Sequence, residues 1–195
     1  MAARLATVSL LVLAAGTAHA DVQSTPLSLS SCDVLGARAG DVKALYWELY
    51  DHTEVCVNLA PAPGSPGAWP LSFTFSFTYT GRTMKAPPAN VLFRVMMPPY
   101  AAIAWPSLQV TLDSGERLDL TAPGRPYRVV YPPGCVGAED GCGYTGLEVP
   151  LSREEFLRWA AAKTISGTAF GVDFSLAPGT HESLLSLAER LEPAP

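Results

Sequence analysis

Leu71-Ser72-Phe73-Thr74-Phe75-Ser76-Phe77-Thr78-Tyr79-Thr80 is the stretch that decides the fold class. Leucine and aromatic residues alternate strictly with serine and threonine, and a period of two sends successive side chains to opposite faces of a strand. No helical stripe accommodates that period. The segment is therefore a β-strand with one core face and one polar face.

The same pattern, more weakly drawn, continues on both sides. Upstream, residues 42–50 are rich in strand formers, Asp51-His52-Thr53 can turn the chain, and Val55, Val57 and Leu59 alternate in the returning arm, which predicts a hairpin. Downstream, 90–97 is an extended run stopped by Pro98-Pro99. Residues 108–112 and 117–120 form a second hairpin around Asp113-Ser114-Gly115. Residues 127–131 and 146–151 flank a loop holding Cys135 and Cys142. The 18 prolines and 16 glycines punctuate the chain into short segments, as a β-dominated domain requires.

After residue 151 the character changes. Ser152-Arg153-Glu154-Glu155 is a capping box, in which hydroxyl and carboxylate each satisfy a free amide at a helix start. A helix is predicted over 153–163, with Phe156, Trp159, Ala160 and Lys163 following at helical spacing. Residues 164–176 read as one strand. A last helix is predicted after Pro178-Gly179, with Thr180 as its cap, Glu182 in its first turn and Arg190 in its last. Leu184, Leu187, Ala188 and Leu191 share one of its faces. The expected fold is mainly β, of the α+β class. About eight strands make an antiparallel two-layer β-sandwich-like domain, followed by a C-terminal helix–strand–helix tail whose helices pack on an edge or open face.

The N-terminus reads as an export signal. Arg4 supplies a positive charge, residues 5–15 an apolar core, and Ala18-His19-Ala20 a small-x-small cleavage site before Asp21. The apolar run is too short for a transmembrane helix, which needs ~20 residues. Residues 1–20 are thus expected to be a secretory signal peptide and 21–195 a single β-rich domain in the periplasm or outside the cell. Leu29-Ser30-Ser31-Cys32 has the letters of a lipoprotein box, but a polar stretch separates it from the apolar core, so Cys32 is assigned to a disulfide.

Four cysteines behind an export signal, Cys32, Cys56, Cys135 and Cys142, read as two disulfides. Three pairings exist, and proximity in sequence favours Cys32–Cys56 with Cys135–Cys142. Zinc would want four ligands at short spacings, and outside the signal segment only His52 and His181 accompany the cysteines, each isolated. No metal or other cofactor is expected. The net charge of −5 is spread thinly with no basic run, so nucleic acid and anionic membranes are excluded as expected partners.

Catalytic motifs are not evident. There is no Gly-x-Ser-x-Gly elbow, and Glu154 and Glu155 sit where a helix dipole favours acids. The aromatics are more informative. Trp47, Trp69 and Trp105, with Tyr46, Tyr50 and Tyr100, are candidates for a ligand platform. Trp47, Trp69, Tyr100 and Trp105 are the candidate binding residues. Core filling is the competing use of such side chains. Tyr46 and Trp47 are adjacent, so within a strand they must face opposite ways. The expected function is non-catalytic binding of another protein or a cell-envelope component. A carbohydrate or small-ligand module ranks second and a hydrolase third.

Overall fold

The computed structural model describes Cys32 and residues 38–63, 71–97, 106–131 and 145–192. In chain order its elements are β1 (Val42–Trp47), β2 (His52–Leu59), β3 (Ser72–Thr80), β4 (Asn90–Met96), β5 (Leu108–Leu112), β6 (Arg117–Asp119), β7 (Arg128–Val130) and β8 (Gly146–Ser152). Helix α1 (Arg153–Ala161), strands β9 (Ile165–Ala169) and β10 (Val172–Ser175), and helix α2 (Thr180–Glu189) complete them. Two antiparallel sheets result, one six-stranded in the order β1-β2-β3-β4-β8-β7 and one four-stranded in the order β10-β9-β5-β6. The fold is β-sandwich-like with C-terminal helices.

Strand β3 sits inside the larger sheet, and its alternation sets the register of its neighbours. Phe73, Phe75 and Phe77 stand opposite Leu59, Val57 and Val55 of β2, and Phe75 stands opposite Phe93 of β4. All of these are buried on one face. Direct cross-strand pairs of this kind are the unit of sheet stabilisation. Both the second sheet and the helices press on that face. Phe73 meets Phe174 of β10 at 4.7 Å between ring centroids. The Trp159 ring of α1 stands edge-on to Phe93 and Phe75, at 5.1 and 5.7 Å. Edge-to-face is the arrangement that ring quadrupoles favour.

Helix α1 begins as the capping box requires. Ser152 Oγ accepts from Glu155 N at 3.1 Å, and Glu155 Oε2 accepts from Ser152 N at 2.9 Å. Phe156, Trp159 and Ala160 form its buried side. The helix stops at Ala161, two residues short of expectation, and the Lys163 amide donates instead to Asp113 Oδ2 at 3.0 Å.

Four expectations are corrected. Strand β1 ends at Trp47 rather than residue 50, because Glu48–Tyr50 form a 3₁₀ turn closed by Asp51 at φ 47°. His52 therefore opens β2 instead of lying in the turn. Residues 164–176 are not one strand but the hairpin β9–β10, with positive φ at both Phe170 (56°) and Gly171 (79°). Strand β9 lies inside the second sheet, between β10 and β5. At α2, Gly179 with φ 93° is the N-cap, Thr180 is a buried first-turn residue, and Arg190 is the C-cap rather than a last-turn residue.

Candidate functional site

The β1–β2 turn is a built projection. The Tyr46 hydroxyl donates to Asp51 Oδ1 at 2.7 Å, spanning the turn from strand to left-handed corner. That hydrogen bond, more than anything else, raises the Tyr46 phenol above its ordinary pKa and keeps it protonated. Arg82, from the segment after β3, lays its guanidinium 4.1 Å over the Tyr46 ring and donates to Glu48 Oε1 at 2.9 Å. Gly81 N donates to the Asp51 carbonyl at 2.7 Å, and Thr53 Oγ1 donates to the Gly81 carbonyl at 2.6 Å. Each exposed polar contact is weak in water. Together they fix the turn against the end of β3.

What this frame presents is apolar. Leu49 is 84% exposed and Tyr50 67% exposed, the two most exposed large hydrophobics among the described residues. His52 lies beside both neighbouring rings, 5.8 Å from Tyr50 and 6.4 Å from Trp47. A groove of about 570 Å³ runs beside the turn, lined by Asp51, Thr78, Thr80, Arg82 and Lys85 among others. Apolar anchors beside an Arg and a polar rim match the anatomy of protein-contact hot spots.

A second cluster lies on the far face of the large sheet. Glu148 of β8 receives Arg94 Nε at 3.0 Å, and the Nη2 groups of Arg94 and Arg128 also reach its oxygens. Strand register brings them together: Arg94 and Arg128 both stand opposite Glu148. Burial alone would raise the Glu148 carboxyl, but the two guanidiniums, Arg94 ahead of Arg128, outweigh it and hold it below the usual carboxylate range. Nearby, Thr74 Oγ1 donates to Asn58 Oδ1 at 2.8 Å.

A second groove, of about 600 Å³, lies where Arg125 meets the start of α1. Glu155 is fully engaged there, holding the capping box with one oxygen and Arg125 Nη2 at 2.7 Å with the other. Both roles are structural.

Of the expected binding residues, Trp47 lies at the end of β1, half-buried on the sheet face away from the core. Tyr46 faces the other way, as adjacency in a strand demands. Trp69, Tyr100 and Trp105 lie outside the described residues, as do Cys135 and Cys142. Cys32 and Cys56 form a disulfide with Cα atoms 6.0 Å apart, both side chains buried. His181 Nδ1 lies 3.1 Å from the Ala162 carbonyl, joining α2 to the end of α1. Among the described residues no three His, Cys, Asp or Glu side chains are placed to share a metal ion, and no helix is long and apolar enough to cross a membrane.

Sequence reasoning passed over Leu49 and Arg82, and it did not see the Arg94–Glu148–Arg128 cluster. The signal for the cluster was present as single charges at polar-face positions of apolar runs, Arg94 between Phe93 and Val95 and Glu148 between Leu147 and Val149. Only the strand order shows that they meet. Compared with family models, with curated proteins and with solved structures, the chain matches none.

Proposed function

We propose that this is an exported, non-catalytic protein that binds another protein or a cell-envelope component through the β1–β2 turn. The observation that carries the reading is the pair Leu49 and Tyr50, held out on a turn that Tyr46, Asp51, Glu48 and Arg82 hold rigid. Surface apolar residues scattered singly need no explanation, but two adjacent ones on a braced projection form a contact feature. Rigid presentation lowers the ordering cost of binding. Export, to the periplasm or beyond, is supported by the charged, apolar and small-x-small order of residues 1–20 and by the buried Cys32–Cys56 disulfide.

A carbohydrate or small-ligand role is the second reading, favoured by the groove beside the turn, into whose lining Thr78, Thr80, Arg82 and Lys85 bring polar side chains. Site-specific photo-crosslinking in the native envelope tests the first. A photoreactive residue at position 49 should give one discrete adduct that is absent when the probe sits at exposed Glu189, and Tyr50→Ala should reduce its yield at least tenfold. No adduct at position 49, with glycan binding that Lys85→Ala abolishes, would replace the first reading with the second.

A further inference from the structure

Strand β1 is an edge of the six-stranded sheet, with β2 on its paired side. The Gly81 amide donates to the Asp51 carbonyl directly opposite it, in the register that continues as His52↔Thr80. Hydrogen bonding alternates residue by residue in an antiparallel ladder, so odd-numbered residues of β2 bond to β3 and even-numbered ones to β1. With Leu45 opposite Glu54, the backbones of Lys43, Leu45 and Trp47 turn toward β2. The amides and carbonyls of Val42, Ala44 and Tyr46 point out of the sheet, and among the described residues no backbone hydrogen bond outside the strand ladders involves them.

The other edges are short or covered. Strands β6 and β7 have three residues each, and β10 is capped by the Pro61↔Leu176 bridge and by Ala62 N donating to Ser175 O at 2.6 Å. Strand β1 offers six residues, and an edge left open at this length is a template for strand addition.

We infer that this edge pairs with the same edge of a second copy, antiparallel about a two-fold axis at Leu45. The strand is self-complementary in that register. Lys43 of each copy falls opposite Trp47 of the other on the face away from the core, a cation over an indole. Tyr46 falls opposite Ala44, a large side chain against a small one, and Ala44 is the one residue of the strand that is exposed rather than half-buried. Leu45 meets Leu45 at a pair without mutual hydrogen bonds, where Cα atoms approach to about 4.5 Å. The flanking Ala44–Tyr46 pairs carry the hydrogen bonds. Shifting the axis to Ala44 would put Asp41 opposite Trp47 and lose the cation contact. Lys43 is free to take the new partner, since its pairing with Asp41 at 3.5 Å is solvent-exposed and weak.

An interface of one short strand lies below the ~1,200 Å² of stable complexes, so the dimer dissociates on dilution. It does not depend on the role of the β1–β2 turn, and position 45 reports on it while position 49 reports on the turn.

Sedimentation velocity of the exported chain should show a concentration-dependent monomer–dimer equilibrium. Mild oxidation of Leu45→Cys should trap a disulfide dimer at least tenfold more than Glu189→Cys. Ala44→Pro should shift the population to monomer with an unchanged melting temperature, because the Ala44 N–H faces outward and an edge position tolerates proline. Leu45→Lys, which sets two ammonium groups against each other, should do the same and carries the test if Ala44→Pro fails to fold. A single monomeric species at every concentration, or a dimer indifferent to Leu45→Lys, would overturn the inference.

Discussion

Glu148 is placed under two guanidiniums by nothing more local than strand order, and its chemistry follows from that placement. Desolvating a carboxylate costs several kcal/mol, and the arrangement holds because Arg94 and Arg128 both donate to it. Glu148→Gln leaves two cations facing a neutral amide, one of them buried, and should destabilise the fold by about 3–5 kcal/mol. The pH dependence has a definite sign. The folded carboxyl titrates below the unfolded value of about 4.3, so the unfolded chain takes up the proton first as pH falls. The contribution of the triad is complete above that pH and is lost as pH drops through the folded pKa. Acid-unfolding curves should therefore be steeper for the native protein than for Glu148→Gln below about pH 4. Parallel curves would mean that Glu148 titrates alike in the folded and unfolded chain, so that the two arginines do not favour its charged form over burial.

At the scale of elements, most of what the sequence implied is where it was expected, for identifiable reasons. The period of two in β3 and the capping box of α1 are local signals, each complete within ten residues, and tertiary packing had only to agree with them. The β9–β10 hairpin was missed because its turn is Phe170-Gly171. This two-residue turn has positive φ at both central positions, and phenylalanine seldom marks such a site. Gly167 gives a further reason for the close pairing of β9 with β5, since a Cβ there would collide with the Gln109 carbonyl. The site was less legible than the fold. Leu49 reads as a continuation of β1, but the strand ends at Trp47 and Leu49 lies in the 3₁₀ turn that Asp51 closes in the left-handed conformation. In α2 the helical spacing was sufficient: Leu184 and Leu187 are buried, and the helix packs on α1 and on β2. Leu187→Ala should lower stability by about 2–5 kcal/mol, measured by urea unfolding, because a helix of ten residues is held by packing rather than propensity. An unchanged midpoint would detach α2 from the core.

The whole molecule has one core layer and two kinds of surface. The inner face of the large sheet is closed by the second sheet and both helices, while its outer face carries the charge cluster and the only disulfide among the described residues. Cys56 lies on that outer face, opposite Ser76 and Lys43, yet it is fully buried together with Cys32. The bond therefore anchors the chain before residue 38 to the middle of a strand, closing a loop with a sequence separation of 24. Restricting a loop of that length in the unfolded chain stabilises the fold by about 3.5 kcal/mol. Burial adds a kinetic consequence, because thiol–disulfide exchange needs a thiolate to reach the sulfur. In native buffer, dithiothreitol should reduce Cys32–Cys56 no faster than the protein globally unfolds, as followed by alkylation and peptide mapping of these two residues. Once reduced, the chain should unfold at a lower urea concentration, by an amount corresponding to that free energy. Rapid reduction with an unchanged unfolding midpoint would mean that the bond neither lies beneath the surface nor constrains the unfolded chain, and that the outer face is held by its charge cluster alone.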